Sequence, residues 1–306
     1  MTKQLTNNIL MVRPANFGYN SETGKTNSFQ ILLQNSTDEI QSSAIKEFDS
    51  MVEQLRQAGI NVLVIDDLND VIRPDAIFPN NWVSFHQDGT VITYPMQSLN
   101  RRIERREDII EEIGRHFEVK KRYSLDIFEE HNQFLEGTGS MIFDHDNKLI
   151  YACLSARTDA QLLQNLALLL QYKVVFFHAY NETGVPIYHT NVMMALGKDF
   201  VVICMDSIIE KERDEIKNIF DETSKEIINI SFHQMNSFAG NMLQLIDANN
   251  NPVLIMSQSA YSSLTRSQIS SLEAKTKIIP IDIRIIETIG GGSVRCMMAE
   301  IFLPKK

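Results

Sequence analysis

The fold is predicted from the stretch Val192-Met193-Met194-Ala195-Leu196-Gly197-Lys198-Asp199-Phe200-Val201-Val202-Ile203. Two short apolar segments, 192–195 and 200–203, flank a turn that includes Gly197, as in a β-hairpin. An amphipathic segment from Ser207 to Asp221 follows and is predicted as a helix. This part of the chain therefore predicts an α/β unit in which a hairpin is followed by a helix.

The same unit recurs about every 50 residues, a period typical of repeat architectures. No linker rich in Pro, Gly or Ser interrupts the series. We therefore predict a single domain over residues 1–306, built of α/β repeats around a pseudo-symmetry axis, with one active site where the repeats converge. The other predicted hairpins and their helices are 83–93 with 102–116, 141–152 with 158–172, and 242–256 with 259–275, and the other predicted elements are strands 9–12, 61–65 and 174–177 and a helix 37–58.

The composition argues against several classes of protein. Of the 306 residues, 43% are hydrophobic and 22% are charged, as in a globular protein. The formal net charge of −10 disfavours nucleic acid as a partner. No run approaches the roughly 20 apolar residues that span a bilayer, and the N-terminus lacks the apolar core of a signal peptide. We therefore predict a cytoplasmic protein with no membrane span and no nucleic-acid partner.

The three cysteines include one candidate nucleophile. They are few, odd in number and without a C-x-x-C pair, which argues against a disulfide framework and a zinc site. Cys296 follows Gly290-Gly291-Gly292, and such a glycine run suits backbone that approaches a ligand closely. The alternative is an ordinary buried cysteine after a flexible loop. Cys153 and Cys204 lie inside apolar segments and are predicted to be core residues.

A cysteine nucleophile needs a partner that generates the thiolate and protonates the leaving group, and that partner is usually His. His189 precedes the 192–203 hairpin, and the sequence favours it only slightly over the other six histidines. Glu136, which lies beside Gly137 at the start of another predicted hairpin, is a candidate acid, with an ordinary turn carboxylate as the alternative. The competing histidines are His86, His116, His131, His145, His178 and His233.

Four segments resemble, in the same order, motifs of the guanidine-modifying enzyme superfamily. They are Asp75-Ala-Ile-Phe-Pro-Asn-Asn-Trp82, Leu135-Glu-Gly137, His189-Thr-Asn191 and the Gly290 to Cys296 segment. That superfamily includes arginine deiminases, dimethylarginine hydrolases and amidinotransferases. The resemblance implies its fold, a five-bladed pseudo-symmetric α/β propeller (pentein). The segments from Phe78 to Trp82 and from His189 to Met194 are most similar to the citrulline-utilisation hydrolase branch.

The resemblance implies a role for each matching residue. It implies Cys296, His189 and Glu136 as catalytic residues, with Glu136 also holding the substrate head group. It implies that the enzyme needs no metal and no organic cofactor. The partner that it implies is a small amino-acid substrate, and it leaves homo-oligomerisation open. The other substrate-binding residues that it implies are Asn81, Asn191, Arg157, Arg101, Arg102 and Phe78, with Arg105 and Arg106 as further candidates for the substrate carboxylate.

Asn81 and Asn191 stand where superfamily members that act on guanidinium carry acids. A carboxylate only accepts hydrogen bonds and suits a cation, whereas an amide both donates and accepts and matches a neutral ureido group. We therefore expect hydrolysis of the ureido group of L-citrulline to ornithine, CO₂ and ammonia, through an S-carbamoyl intermediate on Cys296.

Two alternatives stay open. The first is a sister enzyme with a guanidino substrate, namely an arginine deiminase, a dimethylarginine hydrolase or an amidinotransferase. The second is a non-enzymatic binding module, because the same propeller fold serves as a ribosome-binding anti-association factor and fold alone does not determine function.

Overall fold

The computed structural model describes residues 3–306, so the first two residues of the predicted 1–306 domain lie outside the described part. Its strands form five sheets of three strands each. In every sheet one pair of strands is antiparallel and the other pair is parallel. The predicted α/β class and the recurring unit are confirmed.

The strands are β1 Asn8–Arg13, β2 Asn61–Asp66, β3 Val83–Phe85, β4 Thr90–Thr93, β5 Lys121–Ser124, β6 Ile142–Asp144, β7 Leu149–Cys153, β8 Lys173–Phe177, β9 Met194–Leu196, β10 Phe200–Ile203, β11 Glu226–Asn229, β12 Leu243–Ile246, β13 Pro252–Ser257, β14 Lys277–Ile281 and β15 Ala299–Glu300. The α-helices are α1 Thr37–Gln57, α2 Leu99–Arg102, α3 Glu107–His116, α4 Gly137–Ser140, α5 Ala160–Leu170, α6 Thr190–Met193, α7 Glu210–Glu222, α8 Phe232–Asn236, α9 Gln258–Ser263, α10 Arg266–Glu273 and α11 Arg284–Gly290.

Four of the sheets follow the chain, in the orders β3-β4-β5, β6-β7-β8, β9-β10-β11 and β12-β13-β14. The fifth, β15-β1-β2, joins the end of the chain to its beginning, with Ile9 opposite Glu300 in the antiparallel pair. Buried apolar clusters lie between successive sheets, and one of them packs β1 residues such as Ile9 against β12 residues such as Leu243. The contacts therefore run in a closed cycle through all five sheets, which is consistent with the predicted five-bladed propeller.

The longest helix, α1, illustrates how local signals and packing agree. Ser36 caps its N-terminus and forms a capping box with Glu39. Its buried residues repeat at helical spacing and contact the same apolar cluster as β1. Those residues are the ones predicted from periodicity: Ile40, Ala44, Phe48, Met51, Val52 and Leu55.

Three predicted elements differ from the structure. The predicted helix 102–116 is broken between α2 and α3, because Glu104 and Arg106 turn inward to form buried ion pairs. The predicted helix 259–275 is split, since Thr265 forms a capping box with Gln268 and starts α10 as a separate helix. The strand predicted to begin at Val192 begins two residues later, after the helical turn α6.

Among the described residues, no helix combines the length and the hydrophobicity that crossing a bilayer would require.

Candidate active site

Tight turns before the first strands of the sheets carry the polar residues of the site. The backbone N–H of Asn81, Asn241 and Cys296 each donates to the carbonyl three residues back, at 3.4, 2.8 and 2.9 Å respectively. These turns immediately precede β3, β12 and β15, and α6 supplies Asn191 in the corresponding place before β9. The repeated architecture therefore gathers side chains that are far apart in the sequence.

These side chains line one cavity of about 30 Å³. It contains Cys296 and His189 together, so the two principal catalytic candidates share one chamber. The lining residues are Asn27, Phe29, Asp75, Phe78, Asn81, Arg101, Arg157, Tyr188, His189, Asn191, Val192, Met235, Phe238, Asn241, Gly290, Gly291, Gly292 and Cys296.

Two amides surround the Cys296 thiol. Asn191 Nδ2 and Asn241 Nδ2 each donate to Cys296 Sγ at 3.3 Å. The Asn241 amide is itself fixed, because its Oδ1 accepts from the Arg295 backbone N–H at 3.1 Å. The sulfur of Cys296 therefore faces two N–H donors, which can stabilise negative charge that develops on it.

His189 is held by a buried carboxylate. Its Nε2 lies 2.7 Å from Glu136 Oε2, and both side chains are buried. Burial lowers the pKa of His189, and the adjacent Glu136 raises it only in part. Burial raises the pKa of Glu136, but Arg157 and His189 more than reverse that effect and hold the pKa well below its usual range. Glu136 is therefore an ionised partner that orients the imidazole.

Glu136 lies behind His189 rather than on the cavity wall. Its second oxygen accepts from the Gln97 backbone N–H at 2.9 Å, and Arg157 Nη1 lies 3.4 Å from Oε2. This position differs from the sequence-based expectation that Glu136 holds the substrate head group directly, because its oxygens face protein donors.

Four buried polar atoms of the cavity residues have no hydrogen-bond partner within residues 3–306. Two are donors, Asn81 Nδ2 and Arg157 Nε, and two are acceptors, Asp75 Oδ1 and Asn191 Oδ1. Buried polar groups are almost always hydrogen-bonded in folded proteins. Their concentration around Cys296 therefore indicates a polar ligand with both acceptors and donors.

The arginines predicted to bind substrate separate into two groups. Arg101 and Arg157 line the cavity, with the Arg157 guanidinium 4.9 Å above the Tyr188 ring. Arg102 does not line it and instead donates to the Met96 carbonyl and pairs with Glu129. The two further candidates are occupied elsewhere as well, Arg105 by Glu129 and Arg106 by Asp108 and Asp67.

The glycine run is explained by close packing. A Cβ at Gly292 would come within 2.9 Å of the Phe78 ring, and a Cβ at Gly290 within 2.8 Å. Gly291 has a φ of +61°, a left-handed conformation that favours glycine. The run therefore lets the Phe78 ring lie against the backbone that leads to Cys296.

Asp75, Asn241 and Tyr188 are among the cavity residues that the sequence reasoning missed. Asp75 was read only as part of a motif, although its Oδ2 accepts from Asn20 and Thr23 while Oδ1 is unpartnered. Asn241 follows Gly240 just before a predicted hairpin, as Asn191 precedes another, and that spacing was the available signal. Tyr188 had no signal beyond its place next to His189.

The other cysteines occupy different environments from Cys296. Cys153 and Cys204 are both fully buried within apolar surroundings. Burial raises the pKa of the Cys153 thiol to about 12 and also raises that of Cys204. Within residues 3–306, no group of three or more His, Cys, Asp or Glu side chains is arranged to hold a metal ion.

Comparison with protein families and known structures gives consistent matches. The family model described as "N,N dimethylarginine dimethylhydrolase, eukaryotic" matches residues 13–303. No curated protein sequence matches the chain significantly.

Similar folds occur in several solved structures. The N-terminal domain of ArgZ, an arginine dihydrolase from the ornithine-ammonia cycle in Cyanobacteria, is 17% identical with a TM-score of 0.74, over 97% of this chain and 99% of that one. AgrE in complex with L-arginine is 16% identical with a TM-score of 0.74, over 98% of this chain but 40% of AgrE. A dimethylarginine dimethylaminohydrolase adduct with S-methyl-L-thiocitrulline is 18% identical with a TM-score of 0.62, over 98% and 99% of the two chains. At these identities the likeness establishes the shared fold.

Proposed function

We propose that a ureido amino acid, L-citrulline, is the substrate of this chain, which belongs to the family of N,N dimethylarginine dimethylhydrolases, eukaryotic type, in the guanidine-modifying (pentein) superfamily. The chain is thus an enzyme of the hydrolase and amidinotransferase class. The proposed reaction is hydrolysis of citrulline to ornithine, CO₂ and ammonia, without a cofactor. The protein is proposed to work in the cytoplasm, where its three free cysteines stay reduced.

The main support for this proposal is the set of four buried polar atoms of the cavity that have no hydrogen-bond partner within residues 3–306. Within residues 3–306, Asp75 is the one carboxylate among the side chains that line the cavity. An arginine-like substrate carries two cations, the α-ammonium and the guanidinium, and burying either without a counter-charge is costly. Citrulline carries only the α-ammonium, which Asp75 can pair. One carboxylate therefore matches a ureido substrate better than a guanidino substrate.

The remaining unpartnered atoms match the rest of citrulline. Arg157 Nε offers an N–H to the α-carboxylate. Asn81 Nδ2 offers an N–H to the ureido oxygen, and Asn191 Oδ1 accepts from a ureido N–H. The substrate head group is thus proposed to be held by Asn81 and Asn191, and Glu136 acts one step further away, through His189.

The chemistry follows from this placement. The Cys296 thiolate attacks the ureido carbon, and a C–S bond forms as the carbonyl oxygen gains negative charge, which the Asn81 N–H stabilises. His189 then donates a proton to the departing δ-nitrogen, the C–N bond breaks, and ornithine leaves. His189 next accepts a proton from water, which attacks the carbamoyl-thioester. Cleavage of the C–S bond regenerates the thiolate and releases carbamate, which decays to CO₂ and ammonia.

A guanidino substrate is the second candidate, and the relatives favour it. ArgZ is described as an arginine dihydrolase, AgrE is seen with L-arginine, and the family name refers to dimethylarginine. On that alternative Asp75 pairs with the guanidinium rather than with the α-ammonium. The cavity then lacks a second carboxylate for the ammonium group.

A substrate panel separates the two candidates. Purified protein is incubated separately with L-citrulline, L-arginine and N,N-dimethylarginine, and ornithine, citrulline, ammonia and free amine are quantified. We expect ornithine and ammonia from citrulline, and no turnover in a Cys296→Ser control. Release of citrulline from arginine or dimethylarginine, without turnover of added citrulline, would support the guanidino candidate instead.

A further inference from the structure

We infer that Tyr188 determines specificity for the substrate carboxylate, by holding the Arg157 guanidinium in place. The chain would thereby select free amino acids over analogues that have lost the carboxylate. The inference rests on the proposed function, in which Arg157 binds the α-carboxylate. It assigns a task to Tyr188, a cavity residue that the proposed mechanism does not use.

The first contact is between the two side chains. The central carbon of the Arg157 guanidinium lies 4.9 Å from the centre of the Tyr188 ring, and both residues line the cavity. A cation over the face of an aromatic ring is attracted by the negative charge of that face. A guanidinium is planar and more weakly hydrated than an ammonium group, so it suits such a contact. The ring therefore stabilises Arg157 without using any of its N–H groups.

Hydrogen bonds fix Tyr188 at both of its ends. Ser155 Oγ donates to the Tyr188 carbonyl at 2.7 Å and accepts from the Arg157 backbone N–H at 3.1 Å, so one hydroxyl joins the backbones of the two residues. The Tyr188 hydroxyl donates to the Gly291 carbonyl at 3.3 Å. The ring therefore connects Arg157 to the glycine run that precedes Cys296.

The hydrogen bonds of Arg157 alone hold its side chain less firmly. Its Nη1 lies 3.4 Å from Glu136 Oε2, a long contact, and the same oxygen lies 2.7 Å from His189 Nε2. Its Nη2 donates to Thr26 Oγ1 at 2.5 Å, and a hydroxyl is a neutral acceptor. Neither contact is the bidentate ion pair that orients a guanidinium most strictly. Tyr188 adds a contact that these partners do not provide.

Tyr188 also lies beside His189, and its influence on that residue is a different effect. The two rings lie 4.9 Å apart at an angle of 52°. A displaced imidazole slows the reaction of every substrate, with or without a carboxylate. A displaced Arg157 weakens only ligands that carry the carboxylate, because an analogue without it forms no ion pair there. A matched pair of substrates therefore distinguishes the two effects.

The test measures kcat/KM for L-citrulline and for its decarboxylated analogue, N-carbamoylputrescine, from the release of ammonia. Tyr188→Leu removes the ring, whereas Tyr188→Phe keeps the ring and removes only the hydroxyl. The matched control is Phe134→Leu, because the Phe134 ring lies 5.9 Å from the guanidinium of Arg102, which does not line the cavity. Circular dichroism and thermal unfolding establish that each variant is folded, and Tyr188→Met takes the place of Tyr188→Leu if that variant does not fold.

We expect Tyr188→Leu to lower the ratio of kcat/KM for citrulline to kcat/KM for the analogue about tenfold, the size of a desolvated cation–π contact. The change should appear as a higher KM for citrulline, since the carboxylate is bound alike in the ground state and the transition state. Tyr188→Phe and Phe134→Leu should keep the wild-type ratio. An unchanged ratio in Tyr188→Leu, which includes an equal loss for both substrates, would overturn the inference. The same fall in Tyr188→Phe would overturn it as well.

Failure of the proposed function would leave this test intact. Wild-type protein that consumes L-arginine and not citrulline would overturn the ureido proposal. The same variants are then assayed with arginine and its decarboxylated analogue, agmatine. The predicted fall in the ratio stays the same, because arginine and citrulline carry the same carboxylate.

Discussion

At the scale of single residues, the site depends on how Cys296 differs from the other two cysteines. Two side-chain amides donate to its sulfur, whereas burial raises the pKa of both Cys153 and Cys204. The thiolate is the reactive form of cysteine, so the environment determines the rate of modification.

Iodoacetamide at neutral pH should therefore label Cys296 much faster than Cys153 or Cys204. Peptide mapping by mass spectrometry after short exposures gives the three rates, and the Cys296→Ser variant should lose the fast phase. Equal rates at the three positions in folded protein would contradict an activated thiol.

The His189–Glu136 pair makes a second prediction at this scale. His189→Ala should lower kcat by about 10²–10⁴-fold, the usual cost of losing a general acid–base. The Glu136 carboxylate raises the pKa of His189 against the effect of burial. Glu136→Gln should therefore lower the pKa of His189 further. Because the protonated imidazole is then present only at lower pH, the alkaline limb of the kcat–pH profile should move to lower pH. An unmoved limb in pH–rate profiles would assign the general acid to another residue.

Several residues that line the cavity could be predicted from the sequence, but not all of their contacts. The motif order and the family resemblance pointed to Cys296, His189, Asn81 and Asn191, all of which line the cavity. Arg102 was predicted as a substrate-binding residue together with Arg101, but the two side chains contact different partners. The sequence alone does not indicate which arginine side chain faces the cavity when several arginines lie in one segment.

At the scale of elements, short turns rather than long helices shape the site. The helical turn α4 contacts α6, which begins directly after His189, so the backbone of one turn sets the position of the other. Periodicity predicted the long helix α1 residue by residue, yet it assigned Val192 and Met193 to a strand. A helical segment of four residues completes only about one turn. Its period does not repeat, so apolar content alone does not distinguish it from a strand.

Gly139 in α4 provides a test of this close packing. A Cβ there would come within 2.8 Å of His189 Nδ1 and would also collide with the Asn81 side chain. Gly139→Ala should therefore reduce kcat at least about tenfold, because small displacements of catalytic groups are costly. Gly18→Ala is the matched control, since nothing lies within 4 Å of its Cβ position. Full activity in Gly139→Ala would mean that His189 tolerates displacement.

The outer strands were the hardest elements to predict. All four residues of β5 are exposed, so that strand shows no alternation of apolar and polar side chains. It pairs with β4 in a parallel arrangement, and the segment that contains α2 and α3 connects the two strands. Its existence depends on contacts distant in the sequence, which is why local pattern did not reveal it.

At the scale of the whole molecule, sheet β15-β1-β2 closes the cycle of sheets. Ile301, just after β15, donates its N–H to Asn8 and lies buried in the cluster that also contains Leu10 and Phe85. The turn that carries Cys296 immediately precedes β15, so the same closure also holds the proposed nucleophile in place.

Ile301→Ala should lower the free energy of unfolding by about 2–5 kcal/mol, the usual cost of truncating a large buried side chain. Ile127→Ala is the control, because that side chain is 56% exposed and its change should stay within about 0.5 kcal/mol. Denaturant unfolding followed by circular dichroism measures both. Similar stabilities for the two variants would mean that the closing sheet contributes little.

The central claim, a ureido rather than a guanidino substrate, is tested most directly by competition. Wild-type enzyme is given equal concentrations of L-citrulline and L-arginine, and the relative rates of consumption give the ratio of the two kcat/KM values. With one cavity carboxylate and a donor at Asn81, we predict a ratio of at least about tenfold in favour of citrulline, with ornithine as the amino-acid product. Consumption of arginine ahead of citrulline, with citrulline accumulating, would contradict the account.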